Sequence, residues 1–211
     1  SVLAALGVPA EQIYFLGYPD TGMPYEESFL RRLYDGCRVS ASRWGRTETW
    51  RPDGQDFHFM RSGCHSTYTA ASVLRDLSDV LALVNPDTVY VTAPGDCHGD
   101  HDALGRFTTQ AVAAMENPPA LYYYLIHADR TDIWPERDAE RFRLPPMAAD
   151  HPLLRCAAER RPLPDGFPPA EKYSLIQSYT SQDPAAYNGY LLAFAKNDEL
   201  VFRVERLPSR T

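Results

Sequence analysis

His98, Asp100 and His101 fall within four consecutive residues, at the end of the segment Val89-Tyr90-Val91-Thr92-Ala93-Pro94-Gly95-Asp96-Cys97-His98-Gly99-Asp100-His101. Two imidazoles and a carboxylate this close can hold a divalent metal, polarise a carbonyl or move a proton. One histidine can bind an ion through a ring nitrogen. The other can donate to a developing oxyanion, with Asp100 orienting a ring. Two histidines and one aspartate are too few to supply the three protein ligands of a typical catalytic zinc site. A further ligand and a separate carboxylate base must come from elsewhere.

The elements around these residues decide whether they can act together. The β-branched run at Val89 reads as a buried strand that ends at Pro94-Gly95, and a helix is predicted from about Ala103 to Met115. Ligands of open α/β sheets bind outside the carboxyl ends of strands, which is where the histidines would then lie. Asp102 is placed to cap the helix. Upstream, Val73, Leu74, Leu77, Val80, Leu81 and Val84 recur at helical spacing, predicting a helix over Thr69 to Val84 that stops at Asn85-Pro86-Asp87. Ala120 to His127 reads as a second strand. The alternation of strand and helix predicts an α/β fold with a mostly parallel, Rossmann-like sheet flanked by helices and right-handed crossovers.

The remaining segments are less regular. Ser1 to Leu6 reads as the tail of a helix capped at Gly7, and Ile13-Tyr14-Phe15-Leu16-Gly17 as a strand leading into a turn at Tyr18 to Gly22. A helix that runs into a strand implies an earlier strand, so a first βα unit is expected to be missing before Ser1. A sheet lacking that strand would expose an edge, predicting low stability or self-association of the chain. Residues 34–64 and 128–171 read as long irregular insertions within one domain spanning 1–211. Short helices near Lys172–Tyr179 and Pro184–Lys196 and a strand at Leu200–Val204 complete the chain.

Composition narrows the class of function. The chain has 211 residues, 44% hydrophobic and 23% charged, with a net charge of -7. That is an ordinary globular balance, with enough length for a sizeable core. No Lys/Arg block favours nucleic acid as a partner, and no apolar run reaches the length of a membrane span. Cys37, Cys64, Cys97 and Cys156 form no CxxC pair and are read as reduced thiols of a cytoplasmic protein. Cys97 reads as a small half-buried residue beside His98.

These pieces together resemble the PIG-L/LmbE-like N-acetylglucosaminyl deacetylases, zinc hydrolases that remove acyl groups from amino sugars and related amides. The resemblance rests on Leu3 to Val8, Phe15-Leu16-Gly17-Tyr18-Pro19-Asp20, Tyr68-Thr69 with the Val73–Val84 helix and Asn85-Pro86-Asp87, and His98-Gly99-Asp100-His101, which matches the family's HxDH motif. Leu125-Ile126-His127, Tyr179-Thr180-Ser181-Gln182 and Phe194 to Leu200 are similar to the C-terminal part of one bacterial branch.

The resemblance implies that His101 is a ligand of Zn2+ or another divalent metal. It implies that His98 polarises the amide carbonyl and stabilises the oxyanion, that Asp100 supports the histidine pair, and that Asp20 lies near the sugar hydroxyls. The family's first motif, Ala-His-Pro-Asp-Asp, supplies two more ligands and the carboxylate base, and the chain does not contain it. One ligand of three is therefore expected in the 211 residues. The implied substrate is a small N-acyl amino sugar or glycoconjugate, and a homo-oligomer is compatible with the sequence. Two alternatives stand beside the deacetylase: a catalytically incomplete homologue that binds a ligand or partner, and another metal-dependent hydrolase on a similar sheet.

Other residues have weaker functional readings. His58 and His65 read as loop or surface residues, with substrate contact as the alternative, and His151 as loop; His127 ends a strand and could face the pocket; Tyr122-Tyr123-Tyr124 reads as alternate-face packing rather than a sugar platform. Trp44 and Trp50 could stack on a sugar ring.

Overall fold

The structure, a computed structural model, describes residues 2–21, 24–37, 41–52, 54–131, 133–179 and 187–208. The helices are α1 (Val2–Ala5), α2 (Phe29–Tyr34), α3 (Phe57–Ser62), α4 (Ala70–Val84), α5 (Gly99–Ala114) and α6 (Pro169–Gln177). The strands are β1 (Thr88–Thr92), β2 (Ala120–Tyr124), β3 (Cys156–Pro162) and β4 (Asp198–Val204), in the sheet order β1-β2-β4-β3.

The α/β class is observed, and the predicted strand–helix–strand unit is β1-α5-β2. β1 and β2 pair in parallel, with Thr88 opposite Ala120 and Thr92 opposite Tyr124. The sheet then departs from the mostly parallel expectation. β4 pairs antiparallel with both β2 and β3. The strand β3 lay hidden in the segment read as irregular, because Glu159, Arg160 and Arg161 mask its apolar content. Charge suits its place at the edge of the sheet.

α4 matches its periodicity closely. The Thr69 side chain accepts from the Ser72 amide at 3.1 Å, and Asn85 ends the helix in the left-handed region at φ 45. Val73 and Leu81 are buried, whereas Val84 falls off the stripe and is exposed. α5 begins four residues before the predicted start, which puts Asp100 and His101 on its first turn and His98 at the N-cap.

Two further expectations are corrected. Ile13 to Gly17, with Gly17 in the left-handed region at φ 78, joins no sheet. Its carbonyls are used by the following loop instead, Phe15 accepting from the Phe57 amide at 2.7 Å and Gly17 from the Trp50 amide at 3.1 Å. The 34–64 segment is not irregular throughout. It closes with α3, which is capped by the Asp56 side chain and stopped by Gly63 at φ 77. The expected turn at Gly22 and the start of the helix expected from Pro184 lie outside the described residues. From Tyr187 to Phe194 the chain is a 3-10 helix.

The core has two main parts, on either side of α5. Val91, Leu121, Tyr123, Leu200 and Phe202 of the sheet pack with Trp134, Phe142 and Leu153. Phe29, Leu33, Tyr68, Val73, Ala103 and Phe107 join α2, α4 and α5. Among the described residues, no helix is long and apolar enough to cross a membrane.

Close contact between α5 and the end of β1 fixes where the histidines sit, and Gly105 permits it. A Cβ at Gly105 would lie 2.4 Å from the Thr92 carbonyl oxygen and 2.9 Å from the Pro94 nitrogen. Gly105→Ala is expected to destabilise by about 1–3 kcal/mol, because backbone must move. Helix propensity alone predicts a gain of about 1 kcal/mol, so the sign of the change in melting temperature separates the two effects.

Candidate active site

The loop between β1 and α5 is organised by Asp96, which is fully buried. One carboxylate oxygen accepts the His98 amide at 2.8 Å. The other accepts the amides of Ile126 at 3.0 Å and His127 at 3.1 Å, from the loop after β2. The Cys97 amide also reaches the His127 carbonyl at 2.9 Å. Asp96 thus ties two adjacent strand ends together.

The consequence is a group of three imidazoles. The rings of His98 and His101 are stacked with centroids 4.3 Å apart, and His127 lies 5.8 Å and 5.5 Å from them. His127, placed at a strand end from which it could face the pocket, lines the same cavity as His98, His101 and Asp20.

His101 Nδ1 faces the Asp96 carboxylate at 3.4 Å, a separation too long for a well-formed hydrogen bond. This leaves Nε2 as the ring nitrogen for a ligand, in the carboxylate–histidine arrangement that orients metal-binding imidazoles. Burial pushes the Asp96 carboxyl up, but the His101 ring and the His98 and Ile126 amides outweigh it. The net is a pKa below 3.8. Sequence reading passed over Asp96. Its one visible signal is an acidic residue in the strand-end turn, two residues before His98.

His98 Nε2 lies 3.7 Å from Asp20, whose side chain is 68% exposed. His98 Nδ1 is buried with no hydrogen-bond partner among the described residues. Burial and the His101 ring hold the His98 pKa below 6.5, against the opposing pull of Asp20 and Asp100.

Asp100 is buried and does not line the cavity. Its carboxylate accepts from the Thr21 amide and hydroxyl, each at 2.9 Å, and from the Leu30 amide at 2.7 Å. It holds the segment that carries Asp20. Asp102 does not cap α5. It accepts instead from the Gly95 amide at 2.7 Å, Tyr25 at 2.9 Å, Arg31 at 2.6 Å and Arg106 at 3.0 Å.

Among the described residues, Asp20, His98 and Asp100 bring ligand atoms within 4.8 Å of one another. The donor set of imidazole and carboxylate suits a divalent ion, and His101 is not one of the three. A second such group, His58, Asp76 and Asp79, serves the fold. Buried Asp76 meets His58 at 3.1 Å, Tyr18 at 2.8 Å and Ser66 at 2.6 Å. His65 bonds buried Asp56 at 2.5 Å, so neither His58 nor His65 is a free loop histidine. His151 packs on the Gly95 turn, its Nε2 3.1 Å from the Gly95 carbonyl oxygen.

Of the three consecutive tyrosines, Tyr124 reaches the cavity, whereas Tyr123 bonds Thr109 and Tyr122 stacks on Tyr90. Trp44 and Trp50 stack beneath Arg43 and Arg46 and do not line the cavity.

No curated protein and no solved structure matches the chain significantly. The family model described as PIG-L, GlcNAc-PI de-N-acetylase, matches residues 1–112, more than half of the 211. That segment contains the β1–α5 loop, His98 and His101. The match supports a deacetylase as the general class of enzyme, and the chain belongs to the PIG-L family.

Proposed function

We propose that the protein is a metal-dependent deacetylase that hydrolyses the N-acyl group of an amino sugar or related glycoconjugate. The observation that carries this reading is the arrangement of His98 and His101 on the start of α5. Both face one cavity, with Asp96 behind His101.

In this reading His101 holds a divalent ion, zinc by family resemblance, through Nε2. The Asp96 carboxylate lies behind the ring and faces its Nδ1. When bound, the ion supplies an acidified water and polarises the acyl oxygen. His98 donates a ring N–H to the oxygen of the amide as negative charge develops there. Asp20, exposed at the cavity, takes sugar hydroxyls. Asp100 positions Asp20 by holding Thr21, and its charge lies beside the histidine pair.

The test is metal content measured together with acetate release from an N-acetylglucosaminyl substrate. Protein that carries the two further ligands and the carboxylate base is expected to hold a divalent ion, lose hydrolysis on chelation and regain it when zinc is restored. Hydrolysis that persists after complete chelation, or none from fully loaded protein on any N-acyl amino sugar, would overturn the reading.

A further inference from the structure

The cavity next to the histidines has a volume of about 1150 Å³. Drug-sized ligands occupy pockets of roughly 300–1,000 Å³, so a single N-acetyl amino sugar fills only part of this space. The chemistry of the rest of the wall is therefore informative.

The wall beyond the histidines is aromatic and aliphatic, lined by Tyr124, Ile176, Tyr190, Leu191 and Phe194. It is continuous with the reacting centre. The His127 ring stacks on Tyr190 at 5.4 Å with planes 20° apart, and Tyr190 meets Phe194 edge-on at 5.6 Å. Trp134 supports Phe194 from 5.9 Å. The Tyr190 hydroxyl donates to the Ile126 carbonyl, which fixes the ring before any ligand arrives.

Of the three Lys and Arg side chains that line the cavity, two are paired with carboxylates and the third, Arg43, lies over the Trp44 ring. Lys172 pairs with Glu199, and Arg161 pairs with Glu159 at 2.7 Å. Around Tyr190 and Phe194 the wall thus offers flat apolar surface. All of these lining residues lie beyond position 112, outside the segment that matches the family.

We propose that the substrate carries a bulky, uncharged aromatic group next to its N-acylated sugar, and that Tyr190, Phe194, Ile176 and Leu191 form the subsite for it. This deepens the deacetylase reading and rests on it for the position of the N-acyl group. Rigid aromatic walls bind flat apolar groups through burial and offset or edge-to-face contact. A sugar bearing only hydroxyls would leave these side chains wet.

Binding separates this proposal from the chemistry. Calorimetric titration of metal-depleted protein compares the 4-methylumbelliferyl and methyl β-glycosides of N-acetylglucosamine, which differ only in the aglycone. The aryl glycoside is expected to bind at least tenfold more tightly. Leu191→Ser and Ile176→Ser, on separate elements, should each reduce that ratio at least threefold while leaving the affinity for the methyl glycoside unchanged.

Equal affinities for the two glycosides would overturn the subsite. So would tighter binding of N-acetylglucosamine 1-phosphate than of the aryl glycoside. Acetate release from metal-loaded protein is read separately. Aryl preference without hydrolysis would keep the subsite and overturn the deacetylase, whereas hydrolysis of both glycosides with equal affinity would do the reverse.

Discussion

His101→Ala is expected to remove tight metal binding and to reduce deacetylation to background, a larger loss than any other single change in the cavity. Nε2 of this ring is the metal ligand of the proposed site, and alanine offers nothing in its place. The fold should survive. His101 sits on the first turn of α5 with its side chain 24% exposed, and alanine is the strongest helix former. His98→Ala is expected to retain the metal and lose roughly 10²–10³ in kcat, the usual consequence of deleting an oxyanion donor. Asp96→Asn should lose about 10–100-fold in metal affinity or activity, as carboxylates behind ligating histidines generally do. Metal content by mass spectrometry and kcat/KM on the same preparations rank the three. A His101→Ala protein with full metal content and rate would defeat the assignment.

How much of this could be read from the chain follows from the range of the forces involved. α4, β1 and β2 are fixed by local periodicity and by stop signals such as Asn85-Pro86, and these were legible. His98 and His101 were legible as well, because both lie within one turn of a helix that follows a strand. The charged edge strand β3 was not, since its identity is set by its partner β4 some forty residues away. Ile13 to Gly17 has the composition of a strand but spends its carbonyls on Trp50 and Phe57.

The deepest misreadings concerned buried carboxylates. Asp56, Asp76, Asp96, Asp100 and Asp102 are all buried, and all but Asp56 gather donors from distant segments. A carboxylate's role in such a network depends on which amides and hydroxyls converge on it, and no sequence spacing encodes that. Asp102 reads as a cap for that reason, and Asp96 carries no sequence signal beyond its place in the strand-end turn. His127 joined the site through Asp96, which binds its amide, and not through any motif of its own.

Asp102→Ala is expected to be the most destabilising single substitution outside the apolar core. Its side chain has no solvent exposure, and it accepts from Gly95, Tyr25, Arg31 and Arg106, thereby joining the β1–α5 turn to α2. Removing one partner of a buried ion pair generally costs about 3–5 kcal/mol. The guanidinium of Arg106 is 34% exposed and can turn to water, which favours the lower end of that range. A loss of about 3 kcal/mol lowers the melting temperature of a chain this size by roughly 6–12 °C. Asp102→Asn keeps an acceptor and should lose less.

Acidity supplies an independent check on Asp102. Burial pushes its carboxyl up, but Arg106, the Gly95 amide and Tyr25 together hold it below 3.8. A group depressed on folding contributes stability that is present above its unfolded pKa and is lost as pH falls through the folded value. The difference in melting temperature between wild type and Asp102→Asn should therefore be full at pH 7 and shrink below pH 3.8. Asp96, depressed in the same way, will leave part of the acid transition in the variant. A gap that stays constant from pH 7 to pH 2.5 would mean that the Asp102 charge does not stabilise the fold, and an Asp102→Ala protein melting within 2 °C of wild type would mean that the donors around it find other partners.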